Sequence, residues 1–149
     1  MAQSGDMAAS FVIFLRRRIV QELDEIPVPR GELSLKILAM PSDTNRNGDI
    51  FGGWVVSQMD LAGSNHAEKI AKGRVATVAI DSMAFMLPVS VGSSLSFYTA
   101  ILNIGRSSIR MSIEVWACYP AEEEQRKVTE GIFTFVAINP GRHTRQVPK

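Results

Sequence analysis

The chain has one cysteine, Cys118, in 149 residues. A lone thiol closes no internal disulfide and anchors no thiolate metal cluster, and His66 and His143 stand too far apart for a zinc-binding spacing. Charge of one sign is equally scarce, with 16 Lys and Arg against 15 Asp and Glu. So small an imbalance makes no field that would recruit nucleic acid as a general partner, and any anion site must be local. There is no internal repeat. The apolar run from Ala8 to Leu15 is too short to span a bilayer. Arg16-Arg17-Arg18 follow it, whereas a secretory signal carries its positive charge ahead of the apolar run and a small-residue cleavage site behind it. These absences suit the reducing cytoplasm.

What is present is a hydrophobic content of 46%, enough to exclude disorder over most of the length and to build one domain with a real core. Phe11, Leu15, Ile19 and Leu23 recur at helical spacing, with Arg16, Arg17, Glu22 and Asp24 on other faces. They predict an amphipathic helix that packs on a partner or on the domain itself, ranked above docking on a membrane surface. Pro27, Pro29 and Gly31 break it. The division expected is a helical extension and linker over residues 1–31 and a domain over residues 32–149.

Leu33 to Met40 reads as a strand with Leu33, Leu35 and Ile37 on one face, ended by Pro41. Ser42 to Gly48 is loop by composition. From Trp54 to Ala71 the apolar positions recur with a period near 3.6, and Gly73 supplies a stop. The small residues Ala62, Gly63, Ser64 and Ala67 let another layer approach this helix closely. Four strand-like runs follow, Arg74 to Met83, Ser94 to Ile104, Ser108 to Cys118 and Arg126 to Ile138, with Gly105-Arg106-Ser107 as a tight connection. The order predicts an α+β fold in which an antiparallel sheet of about five strands curls over one long helix. A sheet of this kind leaves edges, and pairing the edges of two subunits is the common remedy, so an oligomer is expected.

The stretch Asn47-Gly48-Asp49-Ile50-Phe51-Gly52-Gly53-Trp54 sits between the loop and the helix. Asn-Gly is a strong turn signal. Asp49 can serve as a helix N-cap, or as the carboxylate of a reaction centre in which the glycines leave N–H groups at the helix start open to a substrate oxygen. One carboxylate can do both.

Ala39-Met40-Pro41-Ser42-Asp43-Thr44-Asn45, the Asn47–Trp54 stretch, Ser57-Gln58-Met59-Asp60, Gly73-Arg74-Val75, Phe85, Pro88-Val89, Val91-Gly92, Gly105 with Ser107-Ser108, Glu114-Val115-Trp116 and Lys127 to Ile138 together carry a resemblance. Over roughly residues 36 to 139 the chain resembles the hotdog-fold acyl-CoA thioesterases of the bacterial YciA-like, short- and medium-chain group. The resemblance implies a homodimer with active sites at the subunit interface, hexamers built as three dimers, and hydrolysis of acyl-CoA to acid and CoA. It also implies that the reaction uses no metal or organic cofactor, and that its catalytic carboxylate sits at Asp49.

A thioester needs a base or nucleophile at its carbonyl carbon and donors for the oxyanion. Asp49 fits either first role. The backbone N–H groups of Gly52 and Gly53 fit the second, since glycine permits close approach. Asn47 either orients water or only makes the turn. For the phosphates of CoA the candidates are Arg74, Arg106 with Ser107 and Ser108 in its turn, and Lys127 beside Arg126. Met86-Leu87-Pro88 lacks the basic residue often found before this proline, and Ser93 stands where an Asp is common. Ser57 and His66 are nine residues apart and on different helix faces, which speaks against a hydrolase triad. His66 lines an acyl pocket or hydrogen-bonds at the subunit interface, the second being favoured. Asp60 reads as an acceptor for a strand hydroxyl, and Cys118 as a packed, inert thiol. The alternative from another class is a non-catalytic protein that binds CoA or acyl-CoA. A dehydratase is a third reading, weakened because neither histidine sits in a dehydratase motif.

Overall fold

The computed structural model describes residues 7–15 and 27–149. Residues 7–15 are helical with every side chain exposed, so this part of the N-terminal segment does not pack on the domain. Ile19 and Leu23, with the charged positions Arg16, Arg17, Glu22 and Asp24, lie outside the described residues. Five strands follow: β1 (Glu32–Leu38), β2 (Val75–Phe85), β3 (Ser94–Ile104), β4 (Ser108–Cys118) and β5 (Gln125–Ala137). They form one antiparallel sheet in the order β1-β3-β4-β5-β2. The central helix, Gly52–Ala71, contacts all five. β2 and β3 are therefore not a hairpin. The segment between them passes from one side of the sheet to the other, leaving β1 and β2 as edges.

The concave face of the sheet carries Phe97 and Thr99 on β3, Ile109, Met111, Ile113 and Val115 on β4, and Phe133 and Phe135 on β5, all fully buried. Burying a side chain of this size is worth roughly 2–3 kcal/mol. On β5 the alternating set Ile132, Thr134 and Val136 faces outward. Both faces of that strand are apolar, and pairing decides between them, with Met111 opposite Phe133 and Ile109 opposite Phe135. β1 also departs from simple alternation. A bulge between Leu33 and Leu35 turns Ser34 toward Thr99 and leaves Leu33 exposed.

Against this face the helix presents Val55, Met59, Ala62, Gly63, Ala67 and Ala71. Gly63 is a point of close approach: a methyl group there would stand 2.6 Å from Ile113 Cδ1 and 2.8 Å from Phe135 Cζ. At its end the left-handed residue is Lys72, at φ 51°, and not the following glycine. Gly73 matters for space instead, because a side chain there would meet the Arg145 guanidinium at 2.8 Å. Arg145 Nη2 donates to Ala71 O at 2.8 Å, satisfying a terminal carbonyl with a cation at the negative end of the helix.

On the convex face Glu114 is almost fully buried. It accepts from the Arg30 N–H at 2.8 Å and pairs with Lys127 Nζ at 2.9 Å, while Lys127 also pairs with Glu130. Burial pulls the Lys127 pKa down, but the bonds to Glu130 and Glu114 outweigh it and leave it above the ordinary 10.5. A pKa raised on folding stabilises fully below the unfolded value and ceases to do so as pH climbs through the folded one. The stability lost in Lys127→Met is therefore expected to be constant from neutral pH up to the ordinary lysine value of 10.5 and to shrink above it, read from urea midpoints across pH. Gly63→Val is expected to lower stability by roughly 2 kcal/mol or more through overpacking, measured the same way.

Candidate active site

The site grows out of the loop before the helix. Gly48 has φ +83° with nothing near its Cα side, so the backbone conformation alone asks for glycine there. Asn45 organises the rest. Its N–H donates to Asp49 O at 2.7 Å and its O accepts from Gly48 N at 3.1 Å. Its side-chain Oδ1 accepts from Asn47 N at 2.9 Å and Asp49 N at 3.2 Å. Beyond it, Ile50 N donates to Val89 O at 3.1 Å and Phe51 N to Asp43 O at 2.9 Å. Asp49 is thus held by its backbone on both sides while its side chain stays exposed. Sequence reasoning did not single out Asn45 as a site residue. The signal was there, an Asn that can fold its side chain back onto N–H groups two and four residues on.

The helix begins with Phe51 as N-cap and has no side-chain cap. Asp49 lies two residues before that position, so it is not the cap. The first turn is closed by Trp54 N to Phe51 O at 3.0 Å and Val55 N to Phe51 O at 3.3 Å. Gly52 and Gly53 precede the first residue that can bond within the helix, and their N–H groups point outward at its positive end. Beside them a cleft of about 260 Å³ is walled by Ile50, Val55, Phe85, the Met86–Val89 segment and Thr129. Tyr119 buttresses that wall by donating its O–H to Pro88 O at 2.8 Å. Burial raises the Tyr119 pKa, with nearby Arg126 opposing and Glu122 assisting, so the phenol keeps its proton and remains a donor.

The sequence-predicted residues fall into three places. Asp49, Gly52, Gly53 and Asn47 gather at the helix start. Arg74 and the Arg106-Ser107-Ser108 turn gather at the other end, where Ile138 N donates to Arg74 O at 3.0 Å and Ala137 N to Ser107 O at 2.8 Å. A shallow cleft of about 430 Å³ there is lined by Asn65, Glu68, Lys69, Gly73 and Arg74. The 20 residues of the helix separate these two groups by about 30 Å. Lys127 joins neither, being on the convex face with its ammonium engaged by Glu114 and Glu130. His66 meets groups of its own subunit, with Nδ1 2.7 Å from Thr99 Oγ1 and Nε2 3.7 Å from Glu32. Asp60 is the acceptor for a strand hydroxyl, with Thr77 Oγ1 at 2.5 Å. Cys118 is half-buried and donates to Glu122 O at 3.0 Å. Among the described residues no group of His, Cys, Asp and Glu could hold a metal ion.

Residues 47–118 match the model of the thioesterase superfamily. The chain is 47% identical to the YciA acyl-CoA thioester hydrolase of Salmonella typhimurium over 123 residues, which are 80% of this chain and 92% of that one. It belongs to the YciA-like hotdog thioesterases. Among solved structures, a hexameric thioesterase from Yersinia pestis superposes with TM-score 0.79 at 47% identity, covering 82% of this chain and 99% of its own. A hexameric hotdog fold thioesterase of Campylobacter jejuni does so with TM-score 0.74 at 38% identity, over 79% and 91% respectively. In this thioesterase the matched span holds the Asp49 loop, the central helix and the β3–β4 turn, and so both ends of the helix.

Replacing Asn45 by Ala removes the acceptor that holds Asp49 N. A fall in kcat of roughly tenfold is expected, with recovery in Asn45→Asp, whose carboxylate accepts the same bonds; thiol release from acyl-CoA measures it.

Proposed function

We propose that this thioesterase hydrolyses short- to medium-chain acyl-CoA to the free acid and CoA, with Asp49 as base or nucleophile and the Gly52 and Gly53 N–H groups as oxyanion donors. The observation that carries the reading is the uncapped helix start, with an exposed carboxylate held beside it and an apolar cleft next to both. As base, Asp49 takes a proton from water while the water oxygen bonds to the carbonyl carbon and the C=O electron pair moves onto oxygen, toward the glycine N–H groups. Collapse re-forms the carbonyl and breaks the C–S bond. The thiolate departs and takes the proton back from Asp49. As nucleophile, Asp49 displaces the thiolate to give a mixed anhydride that water then cleaves to the acid and the restored carboxylate. Asn47 stands in the turn as a candidate to orient that water.

CoA phosphates are assigned to Arg74, Arg106, Ser107 and Ser108. Because these lie at the far end of the helix, the reading needs them to come from a second subunit, and so a homodimer with shared sites. β2 supports the pairing: it is an edge strand of 11 residues with Val78 and Ile80 exposed. Three such dimers would give the hexamer stated for the Yersinia and Campylobacter relatives. Lys127 keeps its ion pairs and is left out of the phosphate set.

Steady-state hydrolysis over a panel of acyl chain lengths tests this, with Asp49→Asn alongside wild type. The variant is expected to lose about 10³-fold in kcat with an unchanged unfolding midpoint, since Asp49 is exposed and held through its backbone. Undiminished turnover in the variant would disprove the mechanism. Wild type that binds CoA yet releases thiol from no substrate would make the protein a binder. In single-turnover reactions in heavy-oxygen water, label appearing in the Asp49 side chain marks the anhydride route, opened at the aspartyl carbonyl.

A further inference from the structure

The cleft beside the helix start has one hydroxyl on its wall. Thr129, on the concave face of β5 opposite Val115 and Phe85, is 1% exposed and lines the same space as Gly52. The other walls are apolar except for the backbone. A buried hydroxyl without a partner costs free energy. Thr99 is engaged by His66 and Ser34, whereas the fully buried Ser93 Oγ has no partner; Thr129 differs from both in lining the cleft. Among the described residues no side-chain hydrogen bond takes up Thr129, whose side chain lines the cleft. Next to it β4 bulges between Val115 and Trp116, a local irregularity of the kind that re-aims side chains at sites.

We infer that the Thr129 hydroxyl donates a hydrogen bond to the thioester carbonyl oxygen, facing the Gly52 N–H across the cleft as a further oxyanion donor. The inference rests on the thioesterase reading above. The cleft of about 260 Å³ has room for an acyl group with its carbonyl, and Gly52 and Thr129 both line it, so a carbonyl seated there shares its space with two donors. The carbonyl oxygen is the acceptor an acyl-thioester brings into an otherwise apolar space. It is a weak acceptor in the bound substrate and a strong one once the electron pair has moved onto it. Thr129 therefore acts mainly in the transition state, on kcat more than on KM.

The test is Thr129→Val, which keeps the shape and removes the donor, with Thr129→Ser, which keeps the donor, and Thr129→Ala as a second deletion. Val and Ala are expected to lower kcat by about 10- to 100-fold with KM within about threefold, and Ser to stay within about threefold of wild type. The inference is overturned if Val keeps kcat within about threefold, if the loss falls on KM, or if the losses follow a lowered unfolding midpoint that Ser shares. Asp49→Asn assayed in parallel separates the two failures. Lost activity there with Thr129→Val unaffected removes only the Thr129 role, whereas unaltered activity in Asp49→Asn removes the mechanism beneath it.

Discussion

The approach of the central helix to the sheet at Gly63 is the constraint on which the remaining geometry depends. With no side chain at that position, the helix settles against Ile113 and Phe135 closely enough to seal the concave face with small residues, Ala62, Ala67 and Ala71. A helix seated this way cannot shift along its axis without losing those contacts, because protein interiors are packed at crystal-like density. Its start is thereby fixed relative to β5 and to the Met86–Val89 segment, and its end relative to the Arg145 side chain. The candidate catalytic groups at one end and the cationic groups at the other are held by the same packing.

That separation shapes the functional reading. One subunit offers a carboxylate, uncapped N–H groups and an apolar cleft at one pole, and two arginines with a serine-rich turn at the opposite pole. Neither pole alone suits a ligand that joins an acyl thioester to a phosphorylated nucleotide tail. Pairing through the β2 edge would set two such subunits antiparallel, bringing the poles of different chains together. This is why the proposed activity and the proposed assembly stand or fall together. It also accounts for an apolar edge strand that a monomer would have to shield.

Much of this was legible in the residues, for identifiable reasons. The strands Ser94–Ile104 and Ser108–Cys118 were readable because Gly92, the Gly105-Arg106-Ser107 turn and Pro120 bound clean alternations, and the helix because its period runs for five turns. Legibility failed where two faces compete or where a local signal is satisfied from a distance. β5 is apolar on both faces, so alternation along it selects neither, and the register with β4 buries Phe133 and Phe135. His66 was assigned to a pocket or an interface, but a bulge at Ser34 builds a polar niche for it beside Thr99 inside its own subunit. Lys127 was a candidate for the CoA phosphates, but β4 brings Glu114 alongside its ammonium. Thr129 carries no motif of its own.

The sequence by itself determined the family, the α+β layout, the turn at Asn47-Gly48 and the placing of Asp49 just ahead of a helix that opens with two glycines. These rest on local chemistry, on which residues accept positive φ, break a helix or leave an N–H uncovered, and local chemistry can be read along the chain. Only the tertiary structure decided that Asp49 stands before the cap and not at it, that Asn45 holds it, that Thr129 faces the same cleft, and that the arginines lie at the opposite pole. Each of those depends on strand order and register, which bring together residues tens of positions apart. Many registers satisfy the same alternation, and the packing of the whole core selects one.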